Sequence, residues 1–235
     1  MKNLIMVIGS VIFIGYTNFA LAATHPALDN LAGIQASETE PIESSDSVSV
    51  NSTFFPLGFS KNGRFAYIYI QDIDGFCGCY FGGFRVVNLI NDSIERETFN
   101  ELHVKSRKEA LDQLLSVRGA EFLAIIEEFG ISSLANKKPG NFPLATESDV
   151  YDVEYIRPPD ENLESKGMLS LISQTKGRKP ISTEVDGSRS PVRGYFRSPF
   201  EHRIAIVCAS PKYILEHEFH WEFVVLGAHL ETGFK

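Results

Sequence analysis

After its first 22 residues this chain has no apolar run approaching the roughly 20 residues a membrane-spanning helix requires. Several catalytic signatures are also missing. There is no Cys-x-x-Cys, so a thioredoxin-type site is excluded, and no Gly-x-Ser-x-Gly, so the chain lacks the strand-to-helix elbow that carries a hydrolase serine. There is no His-Glu-x-x-His, and Gly82-Gly83 lacks the lysine and helix start of a phosphate loop. Positive charge is in deficit, with 22 Lys and Arg against 30 Asp and Glu and a net charge of −8. Such a chain gains nothing electrostatically from nucleic acid or an anionic membrane. Basic residues do gather in Lys176-Gly177-Arg178-Lys179 and at Arg189, Arg193 and Arg197, but aromatic interleaving is sparse and they read as a solvated loop.

What is present begins with an address. Lys2 supplies a minimal positive region, residues 4–14 are almost continuously apolar, and Ala20-Leu21-Ala22 is the small-x-small pattern read by signal peptidase. We read residues 1–22 as a signal peptide cut between Ala22 and Ala23, with an uncleaved anchor as the alternative. The protein is then periplasmic or secreted. No cysteine follows the run, so a lipid anchor is not indicated. Asn51-Ser52-Thr53 and Asn91-Asp92-Ser93 are glycosylation sequons that matter only in a eukaryotic secretory pathway.

An oxidising compartment invites cysteines to pair, and there are three, so one is left over. Cys77 and Cys79 flank Gly78, and a bridge between them closes a small, strained and comparatively reducible ring that the glycine makes feasible. A long-range bridge to Cys208 and capture of a soft metal by two thiolates are the alternatives. Alternation groups Cys208 with Ile204 and Ile206, as a buried thiol on one strand face.

Residues 23–53 are polar, rich in Ser and Glu and without a core pattern, so they read as a flexible leader. Residues 54–235 read as one α+β domain. Residues 54–59 and 65–70 form strands, and Asn62-Gly63 between them suits the left-handed positions of a type I′ hairpin turn. Phe65, Tyr67 and Tyr69 alternate with Ala66, Ile68 and Ile70, so both faces are apolar and the strand is central and covered on each side. A Gly-rich loop over 74–83 leads to a strand at 84–90, a turn at Asn91-Asp92 and a strand at 94–99.

Phe59-Ser60-Lys61-Asn62-Gly63-Arg64 resembles the F-S-x-(D/N)-G-(K/R) hairpin turn of TolB-like and WD-type propeller blades. Phe65-Ala66-Tyr67 stands one residue early for the Ala–aromatic pair of such blades, and Val87-Asn88-Leu89-Ile90-Asn91-Asp92 is similar to the strand and turn that close one. The chain in this way resembles uncharacterised exported bacterial proteins carrying a single hairpin of this kind. The resemblance implies a blade-like four-stranded meander and no particular function. No second copy of the motif follows, so a complete propeller of about four or more blades is not expected.

Ser106 and Glu109 form a capping box for a helix over 106–129, with apolar stripes at Ala110, Leu111, Leu114, Leu115 and Val117 and at Phe122, Leu123, Ile125 and Ile126. Gly119 leaves one kinked helix or two, and Gly130 is the C-cap. Strands follow at 150–156 and 168–173, a long exposed loop at 176–198, and two strong strands at 203–209 and 221–229. The fold class is β-rich α+β: blade-like antiparallel meander, central helical segment, C-terminal strands.

No residue set declares catalysis. His217 and His220 are three apart, the spacing of metal ligands on a helix, but the apolar alternation after them is that of a strand, where such a pair points to opposite faces. Asp72-Ile73-Asp74-Gly75 lacks the third carboxylate and distant Glu of a calcium loop. Phe76, Tyr80 and Phe81 in the Gly-rich loop are the best candidates for a partner-binding surface. The reading is a non-enzymatic exported binding module for an unidentified protein or small molecule, with no cofactor implied. The alternatives are a metal-dependent or other hydrolase using His217, His220 and nearby carboxylates, and a thiol-redox protein using Cys77 and Cys79.

Overall fold

A computed structural model describes Leu28 and residues 34–36, 52–73, 79–136, 138–156, 166–186, 192–215 and 218–235. The signal segment with Ala22 and Ala23, the loop residues Phe76 and Cys77, and His217 lie outside these. The first sheet is an antiparallel meander of β1 (Ile34–Ala36), β2 (Ser52–Phe59), β3 (Arg64–Ile73), β4 (Cys79–Asn88) and β5 (Ser93–His103), in that spatial order. Strand β1 lies within the segment read as leader. The helix α1 (Arg107–Glu128) follows, then β6 (Ser132–Ser133), which pairs with β2.

The alternation along β3 has the predicted consequence. Ala66, Ile68 and Ile70 join Phe55, Leu57, Phe84, Val86 and Leu102 beneath Leu114, Phe122 and Ile125 of α1. Phe65, Tyr67 and Tyr69 on the opposite face pack with Phe54 and Phe59 against Phe196, Val207, Phe223 and Val225. Those partners belong to a second sheet, β11 (Val192–Arg197), β12 (Arg203–Leu215) and β13 (Glu218–His229). The far face of that sheet, through Ile204, Ile206, Cys208, Leu226 and Ala228, packs on Leu144, Tyr151, Leu169 and Leu171. These lie on or beside the third sheet, β7 (Leu144–Ala145), β8 (Val150–Ile156), β9 (Lys166–Ser173) and β10 (Gly177–Asp186), in the order β10-β9-β8-β7. The layers therefore run helix, sheet, sheet, sheet. Fully burying a Phe contributes about 1.5–3 kcal/mol, against about 0–1 kcal/mol for an exposed ion pair, so the aromatic layer between the first two sheets dominates their union.

Several expectations change in detail. The β2–β3 hairpin forms, but its turn is not type I′: among the described non-glycine residues only Asp92 has positive φ, so Asn62 is not left-handed and Gly63 alone is, at 72°. Ser60 organises a longer loop instead, its Oγ accepting from the Asn62 and Arg64 amides at 3.3 and 3.1 Å. Half of the predicted loop over 74–83 is strand, because Cys79 to Gly83 pair with Ile73 to Tyr69 as the start of β4. The helix is single. Its Ser106 cap accepts from Glu109 N at 3.2 Å, although Glu109 Oε2 reaches back to Lys105 N rather than to Ser106 N. Gly119 costs about 1 kcal/mol in a helix, less than the burial of Phe122 one turn on returns. Gly130, at φ 61°, ends it with the paired bonds Gly130 N to Glu127 O and Ile131 N to Ile126 O. Val117, read as part of the apolar stripe, is 62% exposed.

The expected exposed loop at 176–198 is largely strand. Gly177, at φ 92°, turns the chain from β9 into β10, and β11 pairs with β12. Gly and Pro misled because β10 is an edge strand, where a proline and bulges are tolerated; its register shifts flank Pro180 and Ser182. The basic run is not merely solvated either. Lys176 Nζ donates to Tyr151 OH at 2.6 Å, Lys179 Nζ donates to the His229 and Thr232 carbonyls, and Arg178 pairs with Glu154.

Candidate functional site

Period-two alternation places Cys79, Phe81, Gly83 and Arg85 of β4 on the same face as Tyr67 and Tyr69 of β3. Through the pairs Cys79↔His103, Phe81↔Glu101, Gly83↔Phe99 and Arg85↔Glu97, the odd-numbered residues of β5 share that face. One end of the strip is held by Arg85. Its Nε donates to Glu97 Oε1 at 2.6 Å, its Nη2 lies 3.0 Å from Glu222 Oε1, and its guanidinium lies 4.8 Å from the Tyr69 ring centre. Glu222 is thereby tied between the first two sheets. Burial raises the phenols of Tyr67 and Tyr69 above their ordinary value, with Arg85 opposing in both, so they remain neutral hydrogen-bonding groups.

The strip continues to an aromatic pair. Phe81 and Phe99 pack as a tilted ring pair with centres 4.7 Å apart, and Phe99 is 53% exposed. At the far corner Cys79 Sγ lies 3.3 Å from His103 Nδ1, and His103 Nε2 lies 3.5 Å from Glu101 Oε1. Ligand atoms of all three fall within 4.8 Å of one another, with Cys79 buried and the other two exposed. A cysteine sulfur, an imidazole and a carboxylate meet there, and with the sulfur as a thiolate that donor set suits a borderline divalent cation.

Two members of the predicted binding trio, Tyr80 and Phe81, do not share a surface. Tyr80 and Phe81 are neighbours on a strand and face opposite ways, Tyr80 packing against the core under α1 and Phe81 against Phe99. Phe76 lies outside the described residues. Cys208 is buried and free on the second sheet, so the long-range bridge to it is not formed; burial pushes its thiol up to about 12. Of the histidine pair, His217 lies outside the described residues, and His220 is in strand β13, which opens at Glu218, opposite Lys212 of β12.

A second concavity of about 310 Å³ is lined by Thr146, Glu147, Ser148, Tyr151, Arg197, His202, Leu230 and Glu231, with His202 Nδ1 3.6 Å from Glu231 Oε1. Reasoning from spacing missed it because three distant stretches meet there. It also missed Phe99, Glu101 and His103. Their alternation along β5 was legible, but their partners sat in what looked like loop. Comparison with known protein families, with curated proteins and with solved structures finds no match for this chain.

Proposed function

We propose that this is an exported, periplasmic or secreted, non-enzymatic binding module whose recognition surface is the end of the first sheet around Phe81 and Phe99. The observation that carries the reading is a large aromatic, Phe99, more than half exposed and held by a tilted ring contact with Phe81 on a pair of hydrogen-bonded strands. Aromatic anchors on fixed scaffolds concentrate binding energy at little entropic cost. Residues 1–22 are the export signal, and the meander from β2 to β5 corresponds to the blade-like unit suggested by Phe59 to Arg64. A Cys77–Cys79 cystine pins the loop leading into β4. Export to an oxidising compartment supports it, as does the free state of Cys208, which leaves Cys77 as the remaining partner.

Two measurements test this. Mass spectrometry of the exported protein should give a chain beginning at Ala23 with two hydrogens missing; a retained segment 1–22 refutes the cleaved signal. A photo-reactive phenylalanine analogue at position 99, compared in the producing cell with one at the equally exposed Val117, should capture a partner from position 99 only. Equal capture at both positions, or none at position 99, refutes the proposed surface.

A further inference from the structure

We propose that reduction turns the Cys79 corner into a redox-gated site for a borderline divalent cation of the zinc class. Its ligands are Cys79 Sγ, His103 Nδ1 and one carboxylate oxygen of Glu101. The gate rests on the local cystine proposed above; the ligand set does not.

Geometry argues for the ligands. Cys79 and His103 are directly opposed in the β4–β5 ladder, and Glu101 follows His103 at the next position on the same face. All three therefore stand on two paired strands rather than on a loop, which fixes their separations before any cation arrives. A tetrahedral ion with bonds of about 2.3 Å to sulfur and about 2.05 Å to nitrogen needs the two atoms about 3.6 Å apart. The observed 3.3 Å requires an opening of only a few tenths of an ångström. Glu101 Oε1 lies 3.5 Å from Nε2, the other nitrogen of that ring, and within 4.8 Å of the other ligand atoms, so its side chain turns toward Nδ1 to join the cation. Cys79 is buried while Glu101 and His103 are exposed, so a cation enters from the solvent side and completes its shell against the sheet. Three protein donors leave the fourth tetrahedral position to water or an outside ligand. Phe81 and Phe99 stand next along the strip on one flank of the site.

Chemistry supplies the gate. A disulfide sulfur carries no ligating negative charge, whereas a thiolate binds such cations tightly. A dithiol reductant attacks the Cys77–Cys79 bond; the mixed disulfide resolves, two thiols are released, and the reductant leaves as a disulfide. Cys79 then gives up its thiol proton as the cation binds. Glu101 contributes one carboxylate oxygen.

The test is a zinc titration of the exported chain against a chromophoric chelator, with the oxidised protein, the phosphine-reduced protein and the C77S variant, in which Cys79 stays a thiol without reductant. Reduced wild type and C77S should each bind one zinc ion. Oxidised wild type, and C79S under either condition, should bind more weakly by at least about tenfold, the lower end of what even an outer-sphere partner contributes. H103Q in the C77S background should lose at least as much with an unchanged far-ultraviolet spectrum. Cobalt in place of zinc should show a thiolate charge-transfer band in C77S that is absent from C79S. Equal zinc affinity in C77S and C79S overturns the site. Oxidised wild type, two hydrogens light by mass, binding as tightly as C77S overturns the gate. Wild type isolated with all its thiol hydrogens overturns the local cystine and the gate together, and that result is distinct from either zinc outcome.

Discussion

Asp149 has its side chain out of solvent beside the third sheet, and burial alone would raise its pKa. The Ser173 hydroxyl at 2.5 Å, the Thr175 hydroxyl at 2.8 Å and the amides of Val150 and Thr175 outweigh that and hold it well below the ordinary 3.8. A depressed value in the folded state means that folding favours the carboxylate. Its stabilisation is complete above about pH 5 and is lost as pH falls through the unfolded value toward the folded one. D149N should therefore melt lower than wild type at pH 7, yet show a flatter decline in Tm across the acid range. Melting curves at a series of pH values check this, and parallel curves for the two proteins would contradict it. Nothing in the spacing of Asp149, Ser173 and Thr175 announced the cluster, because hairpin pairing of β8 with β9 is what joins them.

At the scale of elements, α1 separates what patterning can read from what it cannot. Its ends were legible, since Ser106 and Gly130 are local chemistry: one hydroxyl meets an orphan amide, and one residue adopts φ above zero without a Cβ clash. The width of its buried face was not. Ala110, Leu114, Phe122, Ile125 and Ile126 meet the sheet, while Val117 does not. In urea, F122A should lose about 3–5 kcal/mol, whereas V117S should change stability by less than about 0.5 kcal/mol. Comparable losses would mean that the helix is rotated on the sheet. Strand β10 teaches the converse. Local Gly and Pro signals argued for loop, and an edge position in a three-dimensional sheet overrode them.

For the whole molecule, the second sheet is the shared middle layer. One of its faces meets Phe54 in the aromatic core and the other meets Leu171 in the third sheet. Packing on both faces couples the layers, and a close approach reinforces it: a Cβ on Gly227 would fall 1.9 Å from the Leu89 carbonyl, and Arg203 donates to that same carbonyl at 2.9 Å. F54A and L171A, each costing about 2–5 kcal/mol, should shift one common unfolding transition. Far-ultraviolet dichroism and tyrosine fluorescence should agree on its midpoint. A separate early transition in L171A alone would show the third sheet unfolding independently.

The sequence by itself determined the elements whose signal is short-range: the two-sided central strand β3, the capped helix, the β2–β3 and β4–β5 hairpins, and the buried position of Cys208. Each follows from period, capping or turn chemistry within a dozen or so residues. Tertiary structure alone decided which strands stack on which, that residues 177–186 and 192–197 are strands, and that Glu101 and His103 meet Cys79. Those outcomes depend on pairing register and on burial supplied by distant segments, and a one-residue change of register would send every side chain of β5 to the opposite face.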